Sequence, residues 1–209
     1  VALVGVLLHD LRNPLHNATL LVEAKSLETE VLRSKLRAQF GKIEALLGVA
    51  TDSMRELVIE PRVAEVDVDE LVRMAADVPV SGDAEEAHVE LPAPTGLKIV
   101  ADQTMLARAL AELTAYIAAE VNRTDREPGP KAAVKVIVEE SEPGFVSIRV
   151  GELPVRPDDS LAKAPFSIAG GGIHLAIARA LSQTAGAKLR LDQKPGAGAY
   201  FALVAPRRS

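Results

Sequence analysis

The sequence predicts a two-part fold: an all-α module over residues 1–60, then an α/β sandwich over residues 61–209. Three observations predict it. Up to residue 60, apolar residues recur at spacings that alternate between four and three. Beyond Pro61 the pattern breaks into short alternating runs interleaved with longer helical ones. The third observation is compositional: 48% of residues are hydrophobic but only 3% are aromatic, and Trp is absent. Ala, Val and Leu must therefore do most of the packing, which suits helix bundles and α/β layers. A chain of 209 residues fits two modest domains better than one.

In the first module the apolar positions are Val4, Leu8, Leu11, Leu15, Ala18 and Val22, a seam of period 3.5. A second run reads Leu32, Leu36, Ile43, Leu47, Ala50, Met54 and Leu57, with a short polar stretch over 23–29 between the two. Two long helices with a short connection make an antiparallel hairpin. A lone hairpin cannot bury an apolar seam on both helices, and a homodimeric four-helix bundle solves this economically. The alternative is that the seam packs on the rest of the same chain.

Pro61 ends the second helix, because proline disfavours helix at the residue before it. The sandwich then opens with a strand over 62–66. Asp67 caps a helix over 68–77. Residues 78–87 read as loop, and 88–91 and 97–100 as short strands. A strong helix follows Asp102 over 103–121, with Leu106, Leu110, Leu113 and Ile117 on one face. Residues 124–130 form a Pro/Gly turn. The runs 133–139 and 145–150 alternate as a β-hairpin around Glu142. Residues 151–169 read as a Pro-rich loop. Residues 172–185 form a helix stopped by Gly186, and 188–192 with 199–204 form a closing hairpin over the turn at 195–198.

Composition excludes several classes of function. A net charge of -5 leaves no broad basic footprint for nucleic acid. With no Cys there are no disulfides, no thiolate metal sites and no Cys nucleophile, which fits a reducing cytosol. No apolar run approaches the ~20 residues of a membrane span, and the apolar opening lacks the basic flank of a signal peptide. The chain starts inside a helical pattern, as expected of a fragment whose upstream portion is missing. No metal-ligand cluster is expected.

The strongest local signal is His9-Asp10-Leu11-Arg12-Asn13-Pro14-Leu15. Leu8, Leu11 and Leu15 point into the seam, so His9 sits beside it near the solvent face. Asn13 lies one turn on, on the same side. Asp10 can accept a proton from one imidazole nitrogen and leave the other as a nucleophile. Arg12 supplies positive charge where a phosphoryl group would sit. Pro14 lacks an N–H and is expected to kink the helix just past the site. His16 reads as a solvated helix residue. The stretch resembles the H-box of histidine kinases along its whole length. That resemblance implies that His9 is the phospho-acceptor, that Asp10 assists phosphoryl transfer as a base, and that Asn13 orients a water for dephosphorylating the partner regulator.

The element order after Pro61 resembles the ATP-binding domain of the same family, which is related to the gyrase, Hsp90 and MutL ATPases. The best-matching stretch, Gly170-Gly171-Gly172-Ile173-His174-Leu175-Ala176-Ile177, is similar to the glycine box. There Gly170 and Gly172 would offer backbone N–H groups to a phosphate. The departures are informative. Where the family carries two Asn residues one turn apart, this chain has Glu112 and Tyr116. Glu112 still has an oxygen to offer a cation, while Tyr116 fills space near the triphosphate. The Asp-x-Gly-x-Gly box that holds adenine is replaced by Gly151-Glu152-Leu153-Pro154-Val155. The segment Ser167-Ile168-Ala169 is too short for the usual lid, and His174 stands in place of a glycine. Asp158 or Asp159 would have to replace the missing acid. Losing three charge-assisted contacts, each worth ~1.5–3 kcal/mol, would weaken nucleotide binding by several orders of magnitude.

Three functions remain open at this point. The first is a phosphorelay protein that exchanges phosphate between His9 and a receiver-domain Asp, with no tightly bound cofactor. The second is a histidine kinase using ATP and magnesium at a divergent site. The third is an interaction module with His9 idle. The third acts by heterodimerisation with another kinase; all three imply a response-regulator receiver as partner, and the seam implies a homodimer.

Overall fold

A computed structural model describes residues 2–24, 28–78, 88–124, 133–153, 168–193 and 199–208. The two predicted helices are α1 (Ala2–Glu23) and α2 (Thr29–Val58). They pack side by side as a hairpin, and α1 runs unbroken through Pro14. After Pro61 come β1 (Ala64–Asp67), α3 (Val68–Asp77), β2 (His88–Glu90), β3 (Lys98–Ala101), α4 (Gln103–Thr124), β4 (Ala133–Glu140) and β5 (Phe145–Leu153). The chain closes with α5 (Ile168–Thr184), β6 (Lys188–Gln193) and β7 (Ala199–Pro206).

The sheet is mixed, as the pattern implied. Its five strands lie in the order β2-β4-β5-β7-β6, with β2 parallel to β4 and every other pair antiparallel. A separate antiparallel pair joins β1 to β3, with Val66 opposite Ile99. Along β4, Val134 and Val136 are buried while Lys135 and Ile137 are exposed, so one face of the sheet holds the core and the other faces water.

Helices α4 and α5 cover the buried face, and α3 packs on α4 and β1. Leu106, Leu110, Leu113 and Ile117 of α4 are almost completely buried, together with Phe201 and Leu203 of β7 and Leu175, Ile177 and Leu181 of α5. Two side-chain caps start the helices here. Asp67 accepts hydrogen bonds from the Asp69 and Glu70 amides, as expected of the α3 cap. Asp102 Oδ1 accepts from the Met105 amide at 2.9 Å, while its Oδ2 takes the Arg62 amide at 2.6 Å. One carboxylate thus starts α4 and pins the segment leaving the hairpin. Asp69 fastens the loop before β3, accepting from the Thr95 and Gly96 amides at 2.9 Å. Burial pushes its carboxyl up, but these bonds, the Thr95 hydroxyl and Arg73 outweigh it and hold the carboxyl below its ordinary value.

The structure corrects the expected loop over 151–169 at both ends. Strand β5 continues past Val150 to Leu153 through a register shift against β7. Helix α5 begins at Ile168, ahead of the glycines, with a break in helical geometry at Gly172. Gly170 therefore lies in a helical turn and not in an open loop. The first strand begins at Ala64 instead of residue 62, because the Arg62 amide is committed to Asp102. Residues 79–87 of the expected loop, 125–130 of the expected turn, the turn at 195–198, and the acids Asp158 and Asp159 lie outside the described residues, while Thr124 still belongs to α4.

The two parts share one core. Val6 of α1 and Val49 and Ala50 of α2 are buried within the cluster built by α3, α4, α5 and the sheet. Part of the seam is uncovered in the single chain: Val4, Leu8, Leu15, Val22, Leu47 and Met54 are all exposed. The alternative that the seam packs on its own chain holds at Ala50 and Leu57, which join the shared core, and Ala18 is also buried. The contact with the second domain is made by a neighbouring stripe at Val6, Leu46 and Val49.

Candidate functional site

His9 projects from α1 beside the seam and is 47% exposed. Its Nδ1 lies 3.1 Å from Asp10 Oδ1. A carboxylate only accepts, so this contact puts a ring hydrogen on Nδ1, and in the neutral ring the free lone pair is then on Nε2. Arg12, Asn13 and His16 are exposed on the same helix, and Pro14 is buried. An accessible imidazole, a fixed tautomer and a nearby guanidinium are the elements of a nucleophilic site open to a macromolecular partner.

The fold brings the two sequence motifs to one place. Helix α5 packs against α1. A Cβ built on Gly172 would lie 3.5 Å from Asp10 Oδ2, the oxygen not facing His9. Gly172 has φ 60° and ψ -170°, a conformation that L side chains rarely adopt. The glycine breaks α5 and lets its second part, from Ile173, start beside the His9–Asp10 pair.

On the other side of α5 the side chains form a closed polar cluster. Glu112 of α4 is fully buried. Its Oε1 lies 2.7 Å from an Arg108 guanidinium nitrogen, and its Oε2 lies 2.5 Å from His174 Nδ1. The two residues that depart most from the glycine box and its partner helix, His174 and Glu112, are thus bonded to each other. Glu56 of α2 lies close enough to feel the charges of Arg108 and Glu112. Burial pushes its carboxyl above the ordinary value against the pull of the Arg108 charge, and Glu112 and Asp52 add to the rise. Tyr116, one turn beyond Glu112, is buried edge-on to Phe201, with ring centroids 5.8 Å apart. The oxygens that Glu112 would offer a cation face Arg108 and His174, and Tyr116 belongs to the core. These residues do not fit a magnesium–triphosphate group. Among the described residues no cluster of three His, Asp or Glu side chains could hold a metal ion, and no helix is long and apolar enough to cross a membrane.

Gly151, at the end of the strand that should lead to the adenine-binding acid, packs directly on α4. Its φ is 65°, and a Cβ there would sit 2.6 Å from Ile117 Cγ2. Sequence reasoning found Glu112, His174 and Tyr116 as departures but missed Arg108 and Glu56. The Arg108–Glu112 spacing of one helical turn was the available signal. Nothing local marks Glu56, whose partners are about fifty residues away.

No protein-family model matches the chain. Among curated proteins it is similar to the sensor-like histidine kinase SenX3 of Mycobacterium tuberculosis, at 27% identity over 95% of this chain. The SenX3 of Mycolicibacterium smegmatis matches at the same identity and coverage. The chain spans about half the length of these relatives, 52% and 55% respectively. Among solved structures it is similar to full-length ShkA, crystallised in complex with AMPPNP, with a TM-score of 0.51 and 28% identity. That match covers 95% of this chain and 43% of ShkA. The Acinetobacter baumannii histidine kinase AdeS shares the fold at a TM-score of 0.51 and 15% identity, covering 96% of this chain and 98% of its own.

Proposed function

We propose that this chain, which has the sequence and architecture of a sensor histidine kinase core, carries a phosphoryl group on His9 and exchanges it with an Asp of a response-regulator receiver. In this reading its nucleotide site is filled by its own side chains. The observation that carries the proposal is the contrast between an open His9 and a Glu112 buried between Arg108 and His174.

The chemistry follows from the tautomer. Asp10 holds Nδ1–H, and Nε2 attacks phosphorus. On transfer to a receiver, the N–P bond breaks as a carboxylate oxygen of the receiver forms the new O–P bond, and the imidazole returns to neutral. Arg12 offsets charge on the phosphoryl oxygens, and Asn13 orients a water that attacks the receiver's aspartyl phosphate, breaking its O–P bond and releasing inorganic phosphate. Magnesium comes with the receiver's acidic pocket. The exposed seam at Val4, Leu8, Leu15, Val22 and Leu47 supports a homodimer in which a second hairpin covers it. We place the chain on the cytosolic side of a larger sensor.

Phosphoramidate supplies the test, because it donates phosphoryl without nucleotide: its P–N bond breaks, a new one forms at Nε2, and ammonia leaves. The wild-type chain should gain one acid-labile phosphoryl group, and His9→Ala should gain none. Equal labelling of both proteins would remove His9 from the account. A second reading, an ATP-dependent kinase with unfamiliar ligands, draws on the likeness to ShkA, whose crystal contains AMPPNP.

A further inference from the structure

Asp10 is the less exposed member of the reactive pair, at 21% against 47% for His9. It lies on the stripe of α1 that meets the second domain. Val6, which joins the shared core, and Pro14 lie one turn to either side of it, and both are buried. Gly172 stands opposite. Among the described residues outside its own helix, Asp10 Oδ2 is the one atom within 4 Å of a Cβ built on this glycine. The backbone at Gly172 has little room to retreat. Ile173, the next residue, is 2% exposed in the core, and His174 Nδ1 lies 2.5 Å from the fully buried Glu112. The glycine is thus anchored from the α4 side and presented to α1. Its φ of 60° and ψ of -170° fall in a region essentially restricted to glycine, which persists only where the surroundings impose it.

We propose that Gly172 is a positioning residue for His9: with α5 packed on α1, its backbone confines Asp10 to the rotamer in which Oδ1 meets the imidazole Nδ1. A helical Asp chiefly chooses between two staggered χ1 wells, and the other well carries the carboxylate away from this position. The two oxygens have separate neighbours, Oδ1 the ring hydrogen and Oδ2 the Gly172 backbone. The lone pair on Nε2 is then kept available by a contact that needs no nucleotide. Gly172, matched to the glycine box, acts in this way on the phospho-acceptor instead of on a phosphate. The closed cluster at Glu112 supports the open site through a short run of backbone, from His174 to Gly172. This inference rests on the phosphoryl reading of His9 for its purpose, but not for its geometry.

Ring-nitrogen NMR of the full chain at about pH 8.5, where an ordinary imidazole is neutral, reports which nitrogen of His9 carries the hydrogen. Three-bond couplings across Asp10 χ1 report its rotamer. The wild type should show Nδ1–H and a single rotamer. Gly172→Ala strains the break, because Ala rarely adopts this φ and ψ. It should give averaged Asp10 couplings and a share of Nε2–H. Labelling by phosphoramidate should slow about twofold, as two rotamers divide what one held. In an Asp10→Ala background, with no carboxylate left to position, Gly172→Ala should slow labelling no further. Averaged Asp10 couplings in the wild type would overturn the proposal without recourse to any variant. So would a folded Gly172→Ala with the wild-type tautomer and rate, or equal slowing in both backgrounds, which would make the glycine merely structural. A wild type with the expected tautomer and rotamer that takes no phosphoryl group would sink the phosphoryl reading and uphold the positioning.

Discussion

The two faces of α5 differ in kind. On the side toward α1, the break at Gly172 brings backbone up to Asp10 and leaves His9 open to solvent. On the side toward α4, His174 and Glu112 are bonded together in a site with no exposed carboxylate. The first face keeps reactive groups accessible and asks little of the fold. The second is given over to packing and charge pairing. In the proposed function, one helix serves phosphoryl chemistry on one side and structure on the other, because the two sides share backbone but no side chains.

The sharpest way to break this comparison is to remove the centre of the closed side. Glu112→Ala removes the fully buried carboxylate that Arg108 and His174 share, and should destabilise the chain by about 3–5 kcal/mol. A urea midpoint unchanged from wild type would mean that the cluster does not hold the domain together. Gly151→Ala should follow, at about 3 kcal/mol. It combines a left-handed backbone position with a Cβ that would overlap Ile117. A variant that melts with the wild type would show that the strand end is free to move off α4. On the open side, His9→Ala should shift stability by no more than about 0.5 kcal/mol while abolishing phosphoryl acceptance. A large loss of stability would make His9 structural and blur the distinction.

What the sequence revealed follows the same division. The His9–Leu15 stretch, the seam and the Asp67 cap are local patterns, legible because helical period and capping act within a few residues. The α4 face at Leu106, Leu110, Leu113 and Ile117 was legible for the same reason. The closed cluster was only half legible. Glu112 and His174 were visible as departures, but their bond joins residues 62 apart. Glu56 lies on a helix read as part of the dimer seam. The continuation of β5 through Gly151 was hidden because glycine normally signals a turn, whereas here it relieves contact with Ile117. The uncovered seam and the buried stripe at Val6 and Val49 lie side by side on the hairpin, and a 3.5-residue period does not say which stripe meets which partner.

Calorimetric titration of the full chain with ATP and magnesium tests the central claim most directly. A nucleotide site filled by Glu112, Arg108, His174 and Tyr116 predicts no heat of binding up to millimolar ATP, with His9 still accepting phosphoryl from phosphoramidate. Micromolar affinity, accompanied by ATP-dependent labelling of His9, would contradict it and make the chain a kinase that binds nucleotide through other residues.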